Sequence, residues 1–360
     1  MTKHLQLFYT IDNKFMGIKS KNNPSQSKQT ESRKDSHLAL AMSSQNEVID
    51  SRFYYEPILA SHPDRSEEWI KKFGKKEVRF PLWISSMTGG TSKTNEINLR
   101  LAKAAKKYGL GMGVGSARIA LEGGSQLEGF DLRPIIGDDL PLYLNFGIAQ
   151  IELMLQNNTI HKISELVNTL KADGVIIHVN PLQEWLQPEG DFIQKPPIDT
   201  IKEFLASVSF PLIVKEVGQG MGYESLKSLL QLPLTAIEFA ANGGTNFSKL
   251  ELLRNKTKSE FLMPFVYVGH SAEEMVEMCN QLVDELGNLV KCQSLIISGG
   301  IKDFLDGYYL MEKSKLNAIY GQASGFLTYA EESQEALDNF IEHQIEGLLV
   351  ARKLLKIKEK

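Results

Sequence analysis

Short, unbroken apolar runs recur between residues 81 and 320, each closed by glycine or small polar residues. They cover residues 81–87, 109–114, 141–144, 174–177, 211–214, 236–240, 294–297 and 318–320. Their length and Val, Ile and Leu content predict strands, and the lack of alternation predicts burial on both faces. Helical spacing fills most of the gaps, at 94–108, 148–171, 198–208 and 272–286. Strands alternating with helices predict a parallel sheet. Eight such units over about 240 residues fit one closed (β/α)8 TIM barrel. An open doubly wound sheet is the alternative, since closure leaves no mark on a sequence. Residues 247–293 are long for one unit and predict an elaborated loop over the mouth.

The pattern also sets the outer boundaries. Residues 1–32 read as a flexible polar leader, with 5–11 the one stretch fit for a short strand. The barrel is expected over 33–330, and 331–360 as an amphipathic helical tail with a Lys-rich end.

The chemistry concentrates where strands stop. The fourth apolar run leads into His178-Val179-Asn180-Pro181-Leu182-Gln183-Glu184, and Pro181 is expected to end regular structure there. In a parallel barrel that position is the mouth. Glycines follow the sixth, seventh and eighth runs, at Gly243-Gly244, Gly299-Gly300 and Gly321. Glycine there lets backbone N–H groups approach a phosphate, and barrels hold phosphate preferentially after strands seven and eight. No G-x-G-x-x-G follows the first strand, which argues against a Rossmann dinucleotide. Lys215 ends the fifth strand. It reads either as a Schiff-base lysine or as a cation set against a charged cofactor edge. Ser86, Met87, Thr88, Ser116, Asn145 and Thr245 make the remaining lining mostly small and polar, which suits a planar heteroaromatic ring or a plain substrate pocket. Glu184 with Gln183 suits Mg²⁺, which keeps its waters and binds substrate phosphates, and no His/Cys cluster has zinc spacing. Arg33-Lys34-Asp35-Ser36-His37 offers a fork and a point charge suited to a diphosphate, or else a solvated face.

Composition narrows the field. The 360 residues are 42% hydrophobic and 23% charged, ordinary for a soluble enzyme. A net charge of -4 and a pI near 6.0 give no reason to expect nucleic-acid binding. Two cysteines make no disulfide framework, so a reducing cytoplasm is the default. No apolar run has the roughly 18 residues of a membrane span.

Several collinear segments together resemble the FMN-dependent type 2 isopentenyl-diphosphate isomerase family. They are Arg33 to His37, Ser86-Met87-Thr88-Gly89-Gly90, Met112-Gly113-Val114-Gly115-Ser116, the His178 to Glu184 motif, Gln187-Pro188-Glu189-Gly190-Asp191, Val214-Lys215-Glu216-Val217-Gly218, Gly243-Gly244-Thr245 and Ser298-Gly299-Gly300-Ile301. The His178 to Asp191 block carries most of the specificity. The resemblance implies interconversion of isopentenyl and dimethylallyl diphosphate with reduced FMN, Mg²⁺, and NADPH to prime the flavin. It implies a homo-oligomer, a tetramer or octamer. It assigns the diphosphate to Arg33, Lys34, Ser116, Ala117 and Arg118, catalysis to His178 and Gln183 with Gln183 facing the allylic substrate, and the metal to Glu184. Ser86, Met87, Thr88, Ser116, Asn145, Lys215 and Thr245 would line the flavin, and Gly300, Ile301, Lys302, Ala323 and Ser324 its phosphate. The chain departs from the family at Ala117, Asn246-Phe247, Gly269-His270-Ser271 and Lys302. The competing readings are an FMN oxidoreductase on the same barrel, which would need a His/Arg pair around a carboxylate, and a non-catalytic phosphate-binding barrel.

Overall fold

The computed structural model describes residues 33–358 apart from 38, 46–47, 65 and 87–91. Residues 1–32, with the strand considered over 5–11, and Met87 and Thr88 lie outside the described residues. From Arg52 onward the chain forms one unit, and residues before it belong to another.

In chain order the strands are β1 (Phe53–Tyr55), β2 (Lys71–Phe73), β3 (Lys76–Val78), β4 (Leu82–Ile84), β5 (Gly111–Ser116), β6 (Leu142–Gly147), β7 (Gly174–His178), β8 (Leu212–Lys215), β9 (Ala236–Glu238), β10 (Ser294–Ser298), β11 (Asn317–Gln322) and β12 (Leu355–Ile357). Strands β4 to β11 pair in parallel in sequence order, and β11 pairs back onto β4. The barrel is closed, which removes the open-sheet alternative. All eight expected strands are present.

Closure explains the continuous apolar runs. Trp83, Tyr143, Ile176, Ile213, Ala236, Ile296 and Ile319 form one cluster inside the barrel. Their strand neighbours Leu82, Leu144, Val175, Val214, Ile237 and Leu295 belong to a second cluster under the helices. Alternate residues are thus buried on opposite faces, so neither face has to be polar. The antiparallel β2–β3 hairpin sends Phe73 and Val78 into the inner cluster and plugs the N-terminal end.

Three expectations need correction. The helix expected over 148–171 is two helices, Ile148–Gln156 and His161–Thr169. Asn158, at φ 54, makes the break between them, a left-handed backbone that asparagine tolerates better than most residues. Pro181 does not end regular structure. It opens helix Pro181–Leu186 from the first turn, where its missing N–H has no intrahelical partner to lose. The tail is helical over Ser324–Glu332 and Gln334–Leu354, but then turns into β12, which pairs antiparallel with β1.

Residues 247–293 are elaborated as expected, with helices Phe247–Arg254, Lys256–Leu262 and Ala272–Leu286. Helix Phe247–Arg254 and the helical turn Met263–Tyr267 pack on helix Pro181–Leu186 through Leu252, Val266 and Leu186. Lys258 Nζ donates to the carbonyls of Trp185 and Leu186 at 2.9 and 3.1 Å. Arg254 bridges Glu189 and Glu251. This satellite core stands on the side of the barrel where the strands end.

Candidate functional site

The barrel interior changes character two residues past the apolar layer. Trp83 is followed by Ser85, Tyr143 by Asn145, Ile176 by His178, Ile213 by Lys215, Ala236 by Glu238, and Ile296 by Ser298. Gly113 and Gly321 complete the ring. A Cβ on Gly321 would stand 2.6 Å from Ser85 Oγ and 3.2 Å from Ser298 Cβ, which places all three on the inner face. A packed apolar floor therefore carries a ring of hydroxyl, amide, imidazole, ammonium and carboxylate groups at the mouth.

Register fixes neighbours within this ring. His178 pairs with Lys215, and Lys215 with Glu238. Lys215 is 6% exposed, and its Nζ donates to the Glu216 carbonyl at 2.8 Å. Glu216 turns the other way. Its Oε2 accepts the N–H groups of Gly218, Gln219 and Gly220 at 2.7, 2.6 and 3.0 Å and so shapes the loop after β8. Burial raises the pKa of Glu238, against the opposing pull of Lys215 and the hydroxyls of Ser85 and Ser298. Ser298 Oγ stands 3.5 Å from Glu238 Oε1. Glu238, Ser85 and Gln322 are members of the mouth that sequence reasoning missed. A lone carboxylate inside an apolar run, one strand after Lys215, was the available signal.

His178 keeps part of its surface open to the mouth while its ring sits within the protein. Burial, then the Lys215 cation, lower its pKa to about 3. The imidazole is neutral in the folded chain at neutral pH. The unfolded chain takes a proton below about pH 6.5, so acid removes stability at about 1.4 kcal/mol per pH unit from there toward pH 3. His178→Gln abolishes that difference. Between pH 7 and 5 the unmutated protein is expected to lose about 2 kcal/mol more than the variant in urea unfolding. Parallel pH curves for both would refute the buried neutral imidazole.

The segment after β7 is built around Glu184. Asn180 Nδ2 donates to Glu184 Oε1 at 2.8 Å and to Gln183 Oε1 at 3.1 Å. The Asp191 N–H donates to Glu184 Oε2 at 2.8 Å, and Asp191 Oδ2 accepts from Arg118 Nη1 at 2.9 Å. Gly190 is required here, because a Cβ would fall 1.9 Å from the Glu184 carbonyl oxygen. Gln183, Glu184, Asp191 and Arg118 thus form one connected arc. Among the described residues no group of three metal-type side chains exists, so Glu184 is a single carboxylate.

The other expected site residues are distributed as follows. Ser116 is exposed, while Ala117 is fully buried and donates its N–H to the Asn145 carbonyl at 2.7 Å. Thr245 and Ile301 are half-buried, and the Lys302 N–H donates to Asp306 Oδ2 at 3.0 Å. Ala323 is half-buried and Ser324 exposed, at the start of helix Ser324–Glu332. The loops after β9 and β10 touch backbone to backbone. A Cβ on Gly243 would lie 2.9 Å from Gly300 Cα, and one on Gly299 2.1 Å from the Ala241 carbonyl oxygen. Loop packing alone therefore demands these glycines. Arg33 and Lys34 lie exposed on a helical turn over 33–37, within the unit that precedes Arg52.

Buried polar atoms without a hydrogen-bond partner among the described residues recur at these strand ends, at Ser86 Oγ, Asn180 Oδ1 and Gln322 Oε1. Such atoms are uncommon, and each needs a partner to offset its desolvation.

Comparison with known proteins agrees with this architecture. The fold matches a mandelate oxidase solved with an FMN adduct, at TM-score 0.53 and 11% identity, over 86% of this chain and 88% of that one. It matches a flavocytochrome b2 solved with benzoylformate at TM-score 0.58 and 11% identity, over 84% and 71%. These likenesses show the fold, a closed (β/α)8 barrel. No family model matches the sequence. Curated relatives do: the isopentenyl-diphosphate delta-isomerase of Rickettsia felis is 34% identical over 278 residues, 76% of each chain. That of Rickettsia typhi is 32% identical over 278 residues, 76% of this chain and 77% of its own. The chain belongs to the isopentenyl-diphosphate delta-isomerase family.

Proposed function

We propose that this chain interconverts isopentenyl and dimethylallyl diphosphate as a type 2 enzyme, with FMN at the barrel mouth and Mg²⁺ on the diphosphate. The observation that carries the reading is the polar ring on an apolar floor, beside which Ser86, Asn180 and Gln322 each hold a buried polar atom without a hydrogen-bond partner among the described residues. A flat heteroaromatic ring with several donors and acceptors fits such a ring of short polar side chains. Ser86, Ser116, Asn145, Lys215 and Thr245 would hold it, and Met87 and Thr88 are assigned to it with them. Gly300, Ile301, Lys302, Ala323 and Ser324 would take its phosphate, at the loops after β10 and β11 and a helix start.

The reaction adds a proton at one carbon and removes one from another, and cationic character develops between. Reduced flavin supplies electron density and a protonatable nitrogen. The protein's share is placement and charge. His178, being neutral, adds no second positive charge beside Lys215. Lys215 is the fixed cation of the ring and suits a cofactor that is anionic when reduced. Gln183, held by Asn180, faces the allylic end with a neutral amide. Arg118 supplies charge for the diphosphate, and Glu184 orients hydrated Mg²⁺. The reaction is redox-neutral, so NADPH serves only to reduce the flavin. Both cysteines are free and buried, which fits a reducing compartment, the cytoplasm. An oxidase reading would need a His/Arg pair at the strand ends, and the loop 239–246 after β9 contains neither residue.

The test is turnover of isopentenyl diphosphate with FMN, NADPH and Mg²⁺, omitting each in turn. Loss of turnover on any omission is expected. Turnover without FMN, or oxidation of a hydroxy acid instead, would overturn the reading.

A further inference from the structure

One hydrogen bond in the ring decides what the mouth can recognise. His178 Nδ1 lies 2.9 Å from Asn145 Oδ1. An amide oxygen carries no proton, so this contact requires the proton on Nδ1. A neutral imidazole then keeps a lone pair on Nε2. Gly147 makes the room for this edge of the ring, because a Cβ there would stand 2.9 Å from Nε2.

The surroundings oppose a second proton. On β8, Lys215 is the register partner of His178 and carries positive charge. The carboxylates packed near Lys215 are Glu216, whose Oε2 is taken by three backbone N–H groups, and Glu238 on β9. On β6, Asn145 is uncharged. In the loop after β7, Asn180 points its amide at Gln183 and Glu184. The backbone at Asn145 is fixed, since its main-chain carbonyl accepts the Ala117 N–H at 2.7 Å, and the side-chain amide is aimed at His178 from there.

We infer that Asn145 is a positioning residue that locks His178 in its Nδ1–H tautomer, so that the mouth meets its ligand at Nε2 through an N–H or O–H donor of that ligand. With the amide turned over, Nδ1 would accept and Nε2 would donate, and the site would select an acceptor instead. The catalytic consequence rests on the isomerase reading: a neutral acceptor binds a donor group without placing a second cation beside Lys215. The tautomer itself does not depend on that reading.

The experiment is two-bond ¹H–¹⁵N correlation spectroscopy on the full chain with ¹⁵N-labelled histidine. The chain has seven histidines, and the His178 signals are those lost in His178→Gln. The unmutated protein is expected to show the Nδ1–H pattern for His178, unchanged from pH 8 to 5. Asn145→Asp should make the ring titrate inside that range, because a carboxylate at Nδ1 favours imidazolium. Asn145→Ala should move the pattern toward Nε2–H and lower kcat roughly 10–100-fold with little change in KM, the size typical of losing a partner that orients an imidazole. An Nε2–H pattern in the unmutated protein would overturn the inference, as would an unchanged tautomer in Asn145→Ala. The expected spectra without any isomerase turnover would uphold the tautomer and reject the isomerase reading, which separates the two failures.

Discussion

Glu184→Gln is expected to raise the Mg²⁺ concentration for half-maximal turnover about 10–100-fold, the usual size of an outer-shell loss. The substitution keeps the shape and removes the charge. It also sets an amide NH₂ against one of two donors, the Asn180 amide and the Asp191 N–H, both of which now point at the carboxylate. That conflict alone would cost about 1 kcal/mol of stability and leave the metal dependence untouched. A Mg²⁺ titration of both proteins at matched FMN saturation separates these outcomes. An unmoved midpoint would leave Glu184 as a fastener of the loop 187–191 and nothing more.

Arg133→Ala should cost about 3–5 kcal/mol, the range for breaking a buried charged network. Arg133 sits under the barrel with a side chain only 5% exposed. It donates to the carbonyls of Lys171, Gly137 and Leu140 at 2.8, 2.6 and 3.0 Å, and to Asp173 Oδ2 at 2.9 Å. Asp173 would keep Lys76 and the Leu142 N–H. The Lys171 and Gly137 carbonyls would lose this donor, and the turn leading into β6 would lose its tie. Arg133→Lys keeps the charge but not the planar fork, and should fall between. Urea unfolding at pH 7 measures this, and a loss below 1 kcal/mol for the alanine variant would show that water replaces the guanidinium freely.

The strands were legible because each apolar run is bounded by glycine, proline or a polar cluster, and that signal is local. Which residues of a run face inward is not local. In the run 236–240 nothing distinguishes Ile237, under the helices, from Ala236, inside the barrel. Glu238 therefore could not be assigned to the mouth until β8 and β10 fixed the orientation of β9. His178, Asn145 and Lys215 could be read because each is polar at or near a strand end. The single helix expected over 148–171 failed for a related reason. Apolar residues flank the polar run Gln156-Asn157-Asn158-Thr159 on both sides, and the left-handed Asn158 within it breaks the axis. β12 has three residues and no pattern of its own, and it exists because β1 offers it an edge. The double glycines were read as phosphate seats, yet contact between two loops already requires Gly243 and Gly299.

Barrel closure also sets a timetable during synthesis. Ile84 in β4 pairs with Gln322 in β11, about 240 residues further along the chain. At roughly 5–20 residues per second, a ribosome needs about 10–50 s to make what lies between. Throughout that interval the nascent sheet presents an unpaired β4 edge followed by strands buried on neither face, a sticky template for other chains. Demand for chaperones should therefore peak late in translation, and slowing the ribosome before codon 317 should lower soluble yield more than slowing it afterwards.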